Sequence, residues 1–447
     1  MKDLDLKLNI KRTILCGFAF FSICTFWQMY NNVIPLILTN TFHMNETISG
    51  VIMAADNVLG LFMLPLFGAL SDRCKSPMGR RRPYILFGTI SAVLLMQALP
   101  LLSDSYYSQG QAWKIGLFVG ILLALLIVMG TYRSPAVALM PDITSKPLRS
   151  KGNAIINLMG AVGGILYLII TTFLYSAKRT AGLPHVTYVP LFLIVGGIML
   201  ISMLIVVFAI DENKLRREIK AYETEHPEQN LTVLDESGQE RLPRDVRRSM
   251  GFLLASIAFW FIGYNAMETW FTTYADHVWH MSLGSASLCL TIATLGAIVS
   301  YIPVGQIASK IGRKKTICIG ILILTADFFA CFLWTLTGWG FSPVLYGLFA
   351  LVGIAWALIN VNSLPMIVEI CREKDTGKFT GYYYTFSMSA QTITPILAGF
   401  LMKHVSYDIL FLYAAVFTAL SFVTMYFVRH GDVAVKARTG LEAFEDL

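Results

Sequence analysis

Apolar residues occur along the chain in twelve long runs separated by short polar segments. Each run is about as long as, or longer than, the roughly 20 residues that an α-helix needs to cross a bilayer. The runs cover residues 12–39, 46–71, 82–102, 113–140, 151–176 and 187–210, and then 249–276, 283–308, 314–336, 342–370, 378–403 and 408–429. The pattern predicts an all-α integral membrane protein with 12 transmembrane helices.

Composition supports a chain solvated mainly by lipid. Of its 447 residues, 55% are hydrophobic and 14% charged, and the mean hydropathy is +0.62. These values exclude the three soluble domains that the length alone would suggest. The net charge of +7 does not indicate a nucleic-acid partner, because the basic residues lie in loops on one predicted side.

The distribution of those basic residues predicts the orientation of the helices. With the N-terminus inside, thirty of the 35 Lys and Arg residues fall in cytoplasmic segments. Short cytoplasmic loops are enriched in Lys and Arg. The sequence therefore predicts a multi-pass protein of the cell membrane with both termini in the cytoplasm. The outer segments carry four basic residues, Lys114, Lys178, Arg179 and Lys403.

The composition becomes charged and polar between the sixth and seventh runs, which predicts a domain boundary. We expect an N-terminal six-helix bundle in residues 1–210, a cytoplasmic linker in 211–248, a C-terminal bundle in 249–430 and a cytoplasmic tail in 431–447. The two halves share sequence features at equivalent positions, as in a duplicated membrane protein: Trp27–Asn31 and Trp260–Asn265 both end in Tyr-Asn.

The segment between the second and third runs carries the most specific motif. It reads GALSDRCKSPMGRRRPY from Gly68 to Tyr84. Its spacing of glycine, Asp-Arg and Gly-Arg-Arg-Arg resembles the signature loop of the major facilitator superfamily. The fuller form resembles the sucrose-type and glycoside cation symporters of that superfamily, which include sucrose transporters and melibiose permease. The resemblance implies two pseudo-symmetric six-helix bundles around a central cavity, and uptake of a sugar or glycoside with a cation by alternating access.

The same resemblance implies an inner gate formed by acidic and basic residues at the cytoplasmic ends of the helices. An aspartate at the end of one helix and arginines at the start of the next can form charge-assisted hydrogen bonds. The gating candidates are Asp72, Arg73, Arg80, Asp142, Arg149 and Glu369.

Charged residues inside the apolar runs are the first candidates for function, because a charge in hydrocarbon is costly unless it is paired or hydrated. Asp56, next to Asn57, could bind a proton or sodium, or form a fixed ion pair with an arginine. Arg133 could bind hydroxyl pairs or a carboxylate, or pair with Asp56. Glu268 shares a helix face with Trp260 and Tyr264. This face could bind a sugar, or it could be a surface on which two helices pack.

Asp327 lies in the ninth run, and no ion-pair or hydrogen-bond partner for it can be identified from the sequence. Polar and aromatic side chains at helical spacing accompany the other three charges, and they favour a hydroxyl-rich ligand. These further binding candidates are Trp27, Tyr30, Asn31, Tyr264, Asn265, Asn360 and Gln391.

The motifs of several other function classes are absent from the sequence. The chain has no phosphate-binding loop, no HExxH motif and no CxxC pair, and its seven cysteines are scattered. We therefore expect that the protein is not an enzyme and that it has no cofactor and no metal site. We also expect it to be a monomer.

The leading expectation is sugar symport, with H+ favoured over Na+ as the coupled ion. Two alternatives stay open. The first is a proton-driven exporter of drugs or metabolites. The second is a transporter-like sensor that signals through residues 211–248.

Overall fold

The computed structural model describes residues 9–144, 149–225, 244–370 and 376–430. Within these ranges the regular structure is helical. The helices are α1 (Ile10–Leu36, continued by a π-helical turn Ile37–Thr41), α2 (Glu46–Asp72), α3 (Arg82–Gln109), α4 (Trp113–Asp142), α5 (Arg149–Leu174), α6 (Ala177–Thr180), α7 (Val189–Ala209), α8 (Glu212–Glu225), α9 (Arg244–Trp279), α10 (Leu283–Ile311), α11 (Arg313–Leu336), α12 (Leu345–Ile370), α13 (Thr376–His404) and α14 (Ile409–Tyr426).

Twelve of the described helices correspond to the twelve apolar runs, and α6 and α8 are the two additional short ones. Eleven of the described helices are long and apolar enough to cross a membrane. The twelfth, α13, spans 29 residues, and its polar side chains lower its hydropathy; they include Ser387, Gln391, Thr392 and Thr394. The predicted all-helical membrane fold is confirmed.

Local sequence accounts for several helix ends. Pro83 stands in the first turn of α3, where the N–H that proline lacks has no intrahelical partner. At the other end of α3, Gly110 adopts φ 64° and donates its N–H to the carbonyl of Tyr106. Ser282 caps α10 by accepting the N–H of Ser285 at 3.3 Å.

The described residues fall into two compact units. The first lies within Met1–Tyr30, Ala55–Tyr167 and Gly182–Thr232. The second lies within Asn31–Ala54, Leu168–Ala181 and Val233–Leu447. The last part of α1 and the first part of α2 therefore belong to the second unit, together with α9–α14. The predicted boundary at residues 211–248 stays a prediction, and part of that linker and the tail lie outside the described residues.

Close helix packing in the second unit depends on glycine. α10 packs against α12, and a Cβ at Gly353 on α12 would collide with the Ala293 carbonyl on α10. A Cβ at Gly50 on α2 would similarly collide with the Pro395 carbonyl on α13. In both cases the missing side chain lets two backbones approach each other, as is common between membrane helices.

Gly353→Ala should therefore destabilise the protein, because α10 and α12 would have to separate. We expect a loss of about 1–3 kcal/mol in the free energy of unfolding, measured as a lower midpoint of thermal unfolding in detergent. Gly347→Ala on the same helix is the control, since no atom lies within 4 Å of the added Cβ. Equal effects of the two substitutions would contradict this account.

Candidate functional site

An arginine cluster at one end of the first unit joins α2, α3, α4 and α8. We use this name for Asp72, Arg80, Arg81, Asp142 and Glu212. Arg80 Nε and Arg81 Nε both donate to Asp142 Oδ2, at 3.0 and 2.8 Å. Arg81 Nη2 also donates to Asp72 Oδ1 at 2.5 Å. Two arginines of the signature loop therefore pair with Asp142 and Asp72 within the first unit, and the gating role of these residues stays a prediction.

The ion pairs of the arginine cluster differ in their exposure to solvent. The side chains of Arg81 and Asp142 are 5% and 14% exposed, whereas Asp72 is 53% exposed. Solvent screens the exposed pair, which contributes little to stability. The Arg81–Asp142 pair is the most buried one, and each of its members has a second ionic partner, Asp72 for Arg81 and Arg80 for Asp142.

Glu212, the first residue of α8, anchors the start of α3. Its carboxylate accepts the backbone N–H of Arg80 at 2.9 Å and of Arg81 at 2.9 Å, and that of Arg82 at 3.3 Å. Arg81 is the N-cap of α3 and Arg82 its first residue, where intrahelical acceptors are missing, and Arg80 directly precedes them. Gly79, at φ 110°, passes so close to Glu212 that a Cβ would collide with the carboxylate. The helix α8 is thus attached to the signature loop.

A second set of charged and aromatic residues lies within the spans of the first unit. Asn57 donates to Asp56 Oδ1 from its backbone N–H at 2.6 Å and from its side-chain amide at 2.8 Å. The Asp56 carboxylate also acts electrostatically on Arg133 and Tyr30. The Arg133 guanidinium lies 5.4 Å from the Trp27 ring centroid. We call Asp56, Asn57, Arg133, Trp27 and Tyr30 the Asp56 site.

The second unit has its own group of residues around a carboxylate. Asn31 Nδ2 donates to Glu268 Oε1 at 3.4 Å. Tyr264, one turn earlier on α9, stacks on Trp356 of α12 with centroids 3.8 Å apart and planes 14° apart. We call Glu268, Asn31, Tyr264, Trp356 and Asn360 the Glu268 site.

Neighbouring groups of the Glu268 site extend it along α10 and α9. Tyr301 of α10 acts electrostatically on Tyr264 and shares a hydrogen bond with the Asn360 side chain. Phe261 packs edge-on against Trp356 at 5.6 Å between centroids. The site therefore combines a carboxylate, amides and phenols with an aromatic wall, groups that together can bind the hydroxyls and the apolar face of one ligand.

The family model described as Major Facilitator Superfamily matches residues 16–279 and 276–443. This chain belongs to the major facilitator superfamily. Solved structures agree with that fold. A bacterial homologue of the iron transporter ferroportin in an inward-facing state has a TM-score of 0.70 at 11% identity, with 94% of this chain and 99% of that chain covered. The nucleoside transporter NupG has a TM-score of 0.65 at 12% identity, with 95% and 100% covered.

Curated relatives of this major facilitator match over shorter stretches. The MFS transporter fmqE of Aspergillus fumigatus is 30% identical over 171 residues, which are 38% of this chain and 30% of the relative. The sucrose transport protein SUT1 of Oryza sativa subsp. japonica is 26% identical over 171 residues, 36% of this chain and 32% of the relative. The matched stretches therefore span less than a third of either relative.

The remaining candidate residues of the major facilitator are placed as follows. Asn265 is buried and donates Nδ2 to the Phe261 carbonyl of its own helix at 2.8 Å. Gln391 is half-buried on α13, and Arg73 is exposed at the end of α2. The side chains of Arg149 and Glu369 lie outside the described residues. Among the described residues, no group of three or more His, Cys, Asp or Glu side chains could hold a metal ion.

Sequence reasoning missed Arg81 and Glu212 as members of the arginine cluster. Three consecutive arginines are equivalent as a sequence pattern, and the backbone just before α3 decides that Arg80 and Arg81, rather than Arg82, reach Asp142. Glu212 offered one signal, since it is among the first charged residues after the sixth apolar run. Trp356 is expected from the sequence, with Asn360 and Asn362, on the polar face of the tenth span.

Contacts near the start of α2 and the ends of α9 and α13 form a polar set in the second unit. Asn40 Nδ2 donates to Asp276 Oδ2 at 2.5 Å, and the Tyr407 hydroxyl donates to Glu46. The His277 ring stacks on Tyr407, with centroids 4.5 Å apart and planes 7° apart. These five residues, the outer contact set, join α1 and α2 to α9 and to the α13–α14 connection.

The protonation state of Tyr407 keeps this contact in place at neutral pH. Burial, the hydrogen bond to Glu46 and the negative charges of Glu46 and Asp276 all raise the pKa of Tyr407 above its usual value. The phenol therefore stays protonated below its ordinary pKa of about 10. It loses the proton, and with it the bond to Glu46, only as the pH rises through the higher folded value.

Glu212→Ala should weaken the start of α3, because buried backbone N–H groups lose their acceptor. We expect a loss of about 1–3 kcal/mol in unfolding free energy, with faster amide hydrogen exchange at residues 80–84. Glu218→Ala, at an exposed position of the same helix, is the control. Unchanged exchange at residues 80–84 in Glu212→Ala would rule out this anchoring role.

Tyr407→Phe should loosen the outer contact set by removing the hydrogen bond to Glu46. A loss of about 1 kcal/mol predicts amide exchange about fivefold faster around Glu46 and Tyr407, measured by mass spectrometry. Tyr107→Phe, which removes a hydroxyl that bonds the Pro184 carbonyl in the first unit, should leave those segments unchanged. Exchange as slow as in the wild type would contradict the assignment.

Proposed function

We propose that this major facilitator takes up a sugar or glycoside together with a cation, by alternating access, and that the cation is H+ rather than Na+. The observation that carries the proposal is the Glu268 site. A carboxylate and amides there lie next to the stacked rings of Tyr264 and Trp356. Sugars present hydroxyl donors around an apolar ring face, which suits that combination.

The neighbours of the two buried carboxylates favour a proton. Asp56 accepts two N–H donors of Asn57 and interacts electrostatically with Arg133. Glu268 accepts an amide N–H of Asn31. Sodium is a hard cation and needs several oxygen ligands, whereas a proton needs one basic oxygen. The donors that contact these carboxylates therefore support proton exchange.

The driving force available to such a symporter is large. A membrane potential supplies about 2.3 kcal/mol per charge per 100 mV. One coupled proton could then concentrate a neutral sugar about fiftyfold at that potential. The partial match to rice sucrose transport protein SUT1 supports a sugar as cargo, within the 36% of this chain that aligns.

The proposal is tested by counterflow of labelled mono- and disaccharides into proteoliposomes, with and without a pH or sodium gradient. We expect counterflow of at least one sugar, and accumulation driven by a pH gradient. Expulsion of a cationic dye without any sugar movement would overturn the proposal in favour of an exporter. Sugar binding without transport, with signalling lost on deletion of residues 226–243, would favour a sensor.

Asp56→Asn should abolish accumulation driven by a pH gradient while counterflow continues, because the amide cannot exchange a proton. The measurement is the steady-state internal sugar concentration, expected to fall from many times the external concentration to equality with it. Asp104→Asn, which changes a carboxylate that contacts His185 and Thr187 outside the Asp56 site, should accumulate sugar as the wild type does. Full accumulation by Asp56→Asn would remove Asp56 from the coupling role.

A further inference from the structure

Asp327 on α11 is a buried acid that the proposed sites do not use. The residue is 4% exposed, and neither of its carboxylate oxygens has a hydrogen-bond partner among the described residues. This environment differs from those of the two site carboxylates. Asp56 accepts hydrogen bonds from Asn57, and Glu268 accepts one from Asn31.

The neighbours of Asp327 on its own face of α11 are apolar. Leu324, Phe328 and Cys331 stand on the same side of α11, each at most 1% exposed, and belong to the core of the second unit. α11 packs against α12 and α14. From α14, Phe411 lies 6.5 Å from Phe328 between ring centroids.

The titratable groups around this part of α11 are acids: cysteines, tyrosines and Asp408, which precedes α14 and acts electrostatically on Tyr274. Cys331 on the same helix and Cys289 on α10 interact with each other, and Asp327 acts on Cys331. Tyr274 on α9 shares its hydroxyl with Thr335 at 2.5 Å, and Tyr346 on α12 lies near Cys289. Within the described part of the chain, no cationic side chain acts on Asp327.

The cost of burying charge decides the form of the carboxyl group. An ionised carboxylate with neither a donor nor a counter-ion costs several kcal/mol or more in an apolar environment, whereas the neutral acid costs much less. A proton bound to Asp327 removes most of that cost. Loss of the proton requires water or a donor to reach the group, and therefore a movement of α11 or of the helices packed on it.

We propose that Asp327 is a proton-binding site of this major facilitator, occupied in the conformation described and emptied when a change of conformation admits water. On release, the carboxyl O–H bond breaks, the proton passes to water and the carboxylate is left hydrated. The site adds a proton carrier to the transport cycle beyond Asp56 and Glu268. Its use in transport rests on the proposed proton coupling, whereas its occupancy by a proton does not.

Infrared spectroscopy of the full chain in liposomes tests occupancy without any substrate. We expect wild-type protein at neutral pH to show the carbonyl stretch of a protonated carboxylic acid, moved by 13C-aspartate labelling. The band should be missing in Asp327→Asn and retained in Asp104→Asn. The difference between the wild type and Asp327→Asn assigns the band to Asp327, because Asp56 is the same in both. Asp327→Glu, which keeps a carboxyl group, should lose the label-sensitive band as well, so the assignment does not depend on one variant. Absence of a protonated aspartate band in the wild type would overturn the proposal.

Transport of labelled sucrose tests the use of the site. We expect Asp327→Asn to keep counterflow and to lose accumulation driven by a pH gradient, and Asp327→Glu to restore part of it. Unimpaired accumulation by Asp327→Asn would show that Asp327 keeps its proton throughout the transport cycle, and would overturn its role in transport. If the wild type carries no sucrose, the sugars of the counterflow panel replace it, and failure of every one of them overturns the sugar assignment. The infrared result decides separately whether Asp327 binds a proton.

Discussion

Hydrocarbon cannot solvate a charge or a free backbone group, and this constraint determines where every charged residue of the chain can lie. Thirty of the 35 basic residues fall in segments on one predicted side of the membrane. Inside the spans, charges survive only with compensation. Asp56 has Asn57 and Arg133, and Glu268 has Asn31. The compensation that each charge receives is the best guide to its role.

The same constraint acts at the start of α3, where two unfavourable features meet. The backbone N–H groups at the helix start lack intrahelical acceptors, and three consecutive arginines stand at the positive end of the helix dipole, where cations are disfavoured. Glu212 offsets both features, because its carboxylate accepts those N–H groups and brings negative charge to the helix end. The Arg80 and Arg81 side chains can then extend to Asp142. A segment outside the spans thus becomes part of the arginine cluster.

The fold could be predicted from the sequence almost completely, because lipid solvation imposes long, apolar and separate helices. The predicted span 46–71 and the observed Glu46–Asp72 differ by one residue. α13 shows where average hydropathy fails to identify a span. Its side chains include many hydroxyls, which lower its hydropathy, but the helix is long enough to cross a membrane.

The candidate sites were harder to predict, because sequence spacing locates a residue on its own helix only. Tyr264 and Glu268 share a face of α9 by spacing alone, but the stacking of Tyr264 on Trp356 depends on how α9 and α12 pack. The hydrogen-bond partner of Asn265 depends on the rotamer of its side chain, which the sequence does not reveal. In the structure its amide donates to the Phe261 carbonyl of the same helix. Asp327 is the reverse case: no partner could be named for it from the sequence, and none of the described residues bonds it.

The bond between Asn31 and Glu268 connects ligand recognition to the packing of the second unit. Asn31 is the first residue of α1 within that unit, and the next residue, Asn32, accepts the Thr272 hydroxyl through its carbonyl at 2.9 Å. On the proposed function, a sugar hydroxyl that donates to Glu268 competes with the Asn31 amide for the same oxygen. Binding of substrate would then release one of the contacts that hold the end of α1 against α9. The group that recognises the sugar would in this way also control how firmly α1 is held, which is the coupling that alternating access requires.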